Sequence, residues 1–237
     1  MKFAIIQFPG SNCDQDCLRA INGLDSLRAE YVWHKETSLA GFDAIVLPGG
    51  FAYGDYLRCG AIARFSPIMT EVVRAARDRR LILGTCNGFQ VLCEAGLLPG
   101  ALVRNRGLRF VCDVVSLRIE VPDSAFTHDC PQGTILRMPI AHGEGCYFAD
   151  PKTLRELNEN GQVMMRYCDA DGGITPESNP NGSIENIAGI CNRQGNVFGL
   201  MPHPDRASDP RLGSADGAKI FVSMAETIVA GRAQAAA

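Results

Sequence analysis

Residues Leu81–Gln90 read LILGTCNGFQ. Leu81, Ile82 and Leu83 form a short apolar run suited to a buried strand, and Gly84-Thr85-Cys86-Asn87-Gly88 then sets a cysteine between two glycines ahead of a helical segment. The reading is strand, tight turn, helix. A side chain at such a corner is held in a strained backbone conformation that small neighbours make sterically possible, here Gly84 and Gly88. A thiol there faces the helix N-terminus, whose unpaired N–H groups and partial positive charge favour the thiolate. On that ground Cys86 is the candidate nucleophile, against the ordinary role of cysteine as a small buried hydrophobe.

The flanking chain extends the same pattern. Residues 2–8 are almost continuously apolar, as expected of a parallel strand covered on both faces, and Pro9-Gly10-Ser11-Asn12 turns them into a helix over 14–22. Strands are expected over 29–35 and 43–47, the latter ending at Pro48-Gly49-Gly50-Phe51. Gly49-Gly50 lets backbone N–H groups point into the crevice at the carboxyl end of that strand, where they can donate to an oxyanion. Ser66 reads as an N-cap and Pro67 as the first helical residue, with Ile68, Met69, Val72, Val73 and Ala76 on one face. From 108 to 121 the pattern changes to strand-like alternation, and 135–190 is rich in turns, so antiparallel strands and loops are expected there. Residues 196–201 return to a buried strand, and a last helix is expected over 215–229, with Ile220, Phe221, Met224, Ala225 and Ile228 inward. The final Ala-rich residues are expected to fray. Together these readings give an α/β fold: a doubly wound, mostly parallel sheet flanked by helices, with an additional antiparallel region, in a single domain over 1–237.

Composition narrows the function. Of 237 residues, 46% are hydrophobic and 21% charged, ordinary globular usage, and the formal net charge of -3 argues against nucleic acid as a partner. Arg77, Arg79 and Arg80, like Arg104, Arg106 and Arg109, read as solvated faces or docking contacts. The 10 cysteines are scattered without a C-x-x-C pair, and MKFAIIQF is too short for a signal segment, so a reducing, cytoplasmic setting is expected. No apolar run approaches membrane-spanning length. His34, His128, His142 and His203 show no zinc-type spacing, so no metal is expected.

A thiolate attacking an acyl carbon needs a base, a group that orients the base, and oxyanion donors. His34 looks peripheral and His128 lies in a polar stretch. His142-Gly143-Glu144 and His203-Pro204-Asp205 each offer an imidazole with a carboxylate two residues on. The prolines on both sides of His203 restrict its backbone to extended geometry at a strand end, which favours His203.

Gly84-Thr85-Cys86-Asn87-Gly88-Phe89-Gln90 resembles the nucleophile motif of the class I, triad-type glutamine amidotransferases, and Met201-Pro202-His203-Pro204-Asp205-Arg206 resembles their His-Pro-Glu motif, in the same chain order. Residues 49–58 (GGFAYGDYLR), 140–145 (IAHGEG) and 179–183 (NPNGS) resemble signatures of the subgroup that serves as glutaminase subunits in purine biosynthesis, where formylglycinamide ribonucleotide becomes the amidine. Five motifs cover nearly the whole chain. The resemblance implies that Cys86 attacks the carboxamide of glutamine to give a glutamyl thioester and ammonia, and that His203 shuttles protons. It implies backbone N–H donors at Gly50 and Asn87, and Gln90 facing the bound glutamine. Asp205 stands where the family usually has glutamate, a carboxylate one methylene shorter. The ammonia would pass to a separate synthetase subunit, with a small accessory subunit alongside; ATP and Mg belong to that partner and no cofactor to this chain. The 140–145 motif is expected near the partner rather than in catalysis. The competing readings are a stand-alone cysteine hydrolase of the same superfamily and a catalytically silent docking subunit.

Overall fold

In the apolar runs, neighbouring residues go to opposite faces of one sheet. The computed structural model describes residues 1–128 and 130–235. In strand β1 (Lys2–Gln7), Phe3 and Ile5 pack on one side and Ala4 and Ile6 on the other. The same alternation holds for β3 (Ala44–Leu47) and β4 (Leu81–Thr85), all of whose residues are buried. A strand covered on both faces must be apolar throughout, which is why period-two patterning is missing there.

Helix α1 (Asp14–Asn22) and helix α5 (Ala218–Ala235) cover the first face through Cys17, Ile21, Ile220, Phe221 and Met224. Helices α2 (Ile68–Arg77) and α3 (Asn87–Glu94) cover the second through Ile68, Val72, Phe89 and Val91. The remaining strands are β2 (Arg28–Trp33), β5 (Ala101–Val103), β6 (Val111–Ile119), β7 (Ile135–His142), β8 (Cys146–Phe148), β9 (Val163–Cys168), β10 (Ile187–Cys191) and β11 (Val197–Leu200). Nine of the strands form one sheet in the order β2-β1-β3-β4-β11-β10-β9-β6-β7, and β5 pairs with β8 apart from it. From β2 to β11 the neighbours run parallel; from β11 to β7 they run antiparallel. The antiparallel region is thus a continuation of the parallel sheet.

Four local differences from the sequence reading have physical causes. Helix α2 begins at Ile68 with Pro67 as its N-cap, because the Ser66 hydroxyl is engaged by Tyr53 Oη at 2.9 Å instead of capping. Helix α4 (Pro151–Glu159) lies where only strands and loops were expected; Asp150 caps it by accepting from Lys152 and Thr153 N–H, with Pro151 at the first turn. Helix α5 starts three residues later than expected and runs on to Ala235. Arg80 is no solvated side chain: it donates to Leu39 and Phe42 carbonyls and pins the loop before β3. The expected fraying of the last alanines falls partly on 236–237, outside the described residues. No helix is long and apolar enough to cross a membrane, and no disulfide joins the 10 cysteines.

The strand order brings four chain segments to one corner. β1, β3, β4 and β11 are neighbours and parallel, so the residues after each carboxyl end converge: Cys13, Gly49-Gly50, Cys86 and His203. The antiparallel edge strand β7 returns to the same corner, where the His203 N–H donates to Pro139 O at 2.9 Å.

Candidate active site

Cys86 sits between β4 and α3 with φ 49° and ψ -106°, a conformation that L-residues rarely adopt. The turn is possible because its neighbours lack side chains. A Cβ on Gly84 would lie 2.7 Å from Gly88 C, and one on Gly88 would lie 2.7 Å from Leu47 C while running into Leu47 O. Gly88 therefore lets α3 press directly against β3. Cys86 N–H donates to Leu200 O at 2.7 Å, and Cys86 O accepts from Phe89 and Gln90 N–H, so the strained residue is fixed on both sides. Its Sγ lies 3.8 Å from Ala141 O of β7.

His203 and Cys86 converge over Gly49: a Cβ on Gly49 would meet His203 Cε1 at 2.7 Å, Cys13 Sγ at 3.2 Å and Cys86 Cβ at 3.3 Å. His203 and Asp205 are both buried, with Nδ1 3.6 Å from Oδ2. That is longer than a hydrogen bond, in keeping with a carboxylate one methylene shorter than glutamate. Burial alone would lower the His203 pKa; the charges of Cys86 and Asp205 outweigh it and hold the imidazole well above its ordinary value. The imidazolium is therefore favoured next to the thiol, as a proton donor for a leaving amine. Gly50 has φ 130°, and a Cβ there would lie 2.6 Å from Asn12 N. It is held by a bridge to Ser11 beside the cavity that Cys86, Phe51, Phe110, Ala141 and Arg206 also line.

Asn87 and Gln90 are buried in α3 and joined to each other. Asn87 Nδ2 donates to Gln90 Oε1 at 2.8 Å and to Asp55 Oδ1 at 3.1 Å, while Asn87 Oδ1 accepts from Ala52 N–H. Gln90 Nε2 donates to Glu144 O at 2.7 Å. Both ends of the Gln90 amide are thus engaged, and the side chain clamps the 52–55 and 142–145 loops onto α3.

His142 is also buried, away from the thiol turn, in a network knitted by the 179–183 motif. Asn181 Nδ2 donates to Gly145 O at 2.9 Å and lies 3.5 Å from His142 Nε2; Asn105 bridges His142 O and Gly145 N–H. Burial, reinforced by the charge of His203, pushes the His142 pKa down to about 4. His34 is buried against Tyr53 Oη at 2.8 Å instead of lying at the periphery, and His128 is exposed.

Sequence reasoning missed Cys13. Its Sγ accepts from Arg206 Nη2 at 3.1 Å and lies within 4.8 Å of a ring nitrogen of His203 and a carboxylate oxygen of Asp205, all three groups buried. The signal was present but nonlocal: Cys13 follows β1 as Gly49 follows β3, and adjacent parallel strands deliver both to one place.

Residues 1–218 match the CobB/CobQ-like glutamine amidotransferase domain. The phosphoribosylformylglycinamidine synthase subunit PurQ of Gloeobacter violaceus is 59% identical over 230 residues, spanning 97% of this chain and 99% of the relative. The subunit of the same name from Acaryochloris marina is 56% identical over 230 residues, spanning 97% and 98%. Among solved structures, PurLQS from Thermotoga maritima contains a chain that superposes with a TM-score of 0.85 at 40% identity, covering 96% of this chain and 98% of that one. A shared fold, a matching domain over most of the length and relatives identical at more than half of their positions establish that this chain belongs to the CobB/CobQ-like glutamine amidotransferase family.

Proposed function

We propose that the chain is the glutaminase subunit of a phosphoribosylformylglycinamidine synthase. The Cys86 thiolate adds to the side-chain carboxamide carbon of glutamine, and the tetrahedral oxyanion is met by the N–H groups of Gly50 and Asn87. Collapse breaks the C–N bond, His203 gives its proton to the departing nitrogen, and ammonia leaves a glutamyl thioester on Cys86. Neutral His203 then takes a proton from water as it attacks the thioester, and glutamate is released. Asp205 supports the charged imidazole, and Gln90 holds the loops that shape the glutamine pocket.

The observation that carries this reading is the convergence over Gly49 of a buried histidine with a cysteine fixed at φ 49° on a strand-to-helix turn. The named relatives are subunits, and the solved complex joins such a chain to others. In keeping with that, Phe51 and Phe110 line the cavity half-exposed, and Tyr56, Leu57 and Leu108 stand out in solvent. A synthetase subunit docking there, with a small accessory subunit, receives the ammonia and consumes ATP with Mg in its own site, in the cytoplasm.

The test is intact-mass and peptide mapping after treatment with a diazo-ketone analogue of glutamine, with and without a cognate synthetase. Single labelling at Cys86, suppressed by excess glutamine, is expected. The Cys86→Ala variant is expected to lose glutamine-dependent synthesis while the assembled complex still uses ammonium salt. Labelling at another residue, or loss of both activities, would overturn the assignment.

A further inference from the structure

We propose that Cys13, His203 and Asp205 form a binding site for a soft divalent cation, Zn²⁺ in the first instance, whose occupancy switches the active site off. The effect on turnover rests on the glutaminase reading; the binding itself does not.

The donor set is one sulfur, one imidazole nitrogen and one carboxylate oxygen, all within 4.8 Å of one another and all buried. Zinc bonds of about 2.0–2.3 Å in a tetrahedron set ligand atoms roughly 3.3–3.8 Å apart, so small side-chain rotations bring the three onto one ion. These groups also lack other partners. Both ring nitrogens of His203 and both oxygens of Asp205 are buried without a hydrogen bond. Such atoms are rare in folded proteins, and each leaves a desolvation cost uncompensated. A cation between them satisfies several at once, and thiolate plus carboxylate neutralise its charge. Binding releases the protons held by the Cys13 thiol and the His203 imidazole to solvent.

The backbone holding these ligands is already fixed. Cys13 N–H donates to Gly49 O, and Cys13 O accepts from Cys17 at the head of α1. His203 is tied to Pro139 O, and Asp205 lies in a short 3-10 turn opened by Pro204. A cavity of about 170 Å³ reaches Cys13 and His203 and leaves room for water as a fourth ligand. Arg206 is the one competitor: its Nη2 contacts Cys13 Sγ, but its Nε already holds Asp16 at 3.0 Å, an alternative anchor when the metal takes the sulfur. Cys13 has no part in thioester chemistry, whereas His203 and Asp205 do. A metal gathered by Cys13 therefore withdraws the proton shuttle and leaves Cys86 in place.

The experiment is titration of the full chain with Co²⁺, read by thiolate-to-cobalt charge-transfer absorption, followed by displacement with Zn²⁺. One ion per chain with a tetrahedral cobalt spectrum is expected. Cys13→Ser is expected to abolish the charge-transfer band and weaken Zn²⁺ binding by roughly 10–100-fold or more, the scale of losing a metal-site contact, whereas Cys86→Ser keeps both. Asp205→Asn weakens binding while keeping the sulfur band, and carries the test if the Cys13 variant fails to fold. A wild-type spectrum in Cys13→Ser, or its loss in Cys86→Ser alone, overturns the site. Turnover that persists with the site saturated overturns the switch. Metal binding in a chain that never releases ammonia from glutamine, even with a synthetase, leaves the site standing and rejects the functional reading instead.

Discussion

His142 makes the fold sensitive to mild acid in a way that can be calculated. Its ring is buried, Nδ1 has no hydrogen-bond partner, and burial with the neighbouring His203 charge lowers its pKa to about 4 from the ordinary 6.5. The folded state holds this group neutral, while the unfolded chain protonates it near the ordinary value. Between those two values the unfolded state therefore binds more protons, so stability falls as pH falls. With about 1.4 kcal/mol per pKa unit, the loss from this one residue is about 2 kcal/mol between pH 7 and pH 5 and about 3 kcal/mol by pH 4. The perturbation is His142→Gln, which keeps a polar side chain of similar reach but does not titrate. Its packing cost is independent of pH and cancels when each protein is compared with itself, as do the carboxylates common to both. Urea unfolding at pH 7 and pH 5 is expected to show the wild type losing about 2 kcal/mol more than the variant. Equal losses, or a His142 ring resonance that titrates near its ordinary pKa in NMR spectra of the folded chain, would refute the reasoning.

Two further substitutions test the site's construction. Gly88→Ala drives a methyl into Leu47 O and within 2.7 Å of Leu47 C, so α3 must move off β3 and carry the Cys86 turn with it. Urea melts are expected to show a loss of about 1–3 kcal/mol, and ammonia-release assays of the complex a fall in turnover on the order of 100-fold; wild-type turnover would show that contact to be dispensable. Asn181→Ala removes the donor to Gly145 O and the acceptor of Ser183 N–H, both buried, and is expected to cost about 2 kcal/mol in thermal or urea unfolding. An unchanged midpoint would mean that the 142–145 loop does not depend on that tie.

What could be read in the sequence was what local geometry decides. The Cys86 turn needs glycines at fixed offsets because a Cβ at Gly84 or Gly88 collides with the adjoining backbone, and such a requirement is visible as a string of letters. Both-face burial likewise leaves a mark, the unbroken apolar runs of β1, β3 and β4. Alternation gave the antiparallel region, but nothing local showed that it extends the parallel sheet, since β10 meets β11 through a pairing decided elsewhere in the chain. Helix α4 was legible in the Asp150-Pro151 start and the Leu154 and Leu157 spacing, and was masked by the turn residues around it. Ser66 carried a capping letter whose hydroxyl a distant tyrosine claims. Cys13 beside His203 lay beyond any spacing argument, because the two are joined only by strand order.

That strand order also has a consequence for how the molecule is made. β11 is the only strand joining the parallel half of the sheet to the antiparallel half, pairing with β4 on one side and β10 on the other. During synthesis β4 emerges with one edge open and wholly apolar, and its partner follows about 115 residues later, roughly 6–23 seconds at ordinary elongation rates. Throughout that interval the nascent chain presents an unpaired, aggregation-prone edge beside a cysteine that has no histidine to meet. A chain that stops before Val197 is therefore a sticky half-sheet rather than a weaker enzyme, and chaperone demand should fall abruptly once β11 has left the ribosome.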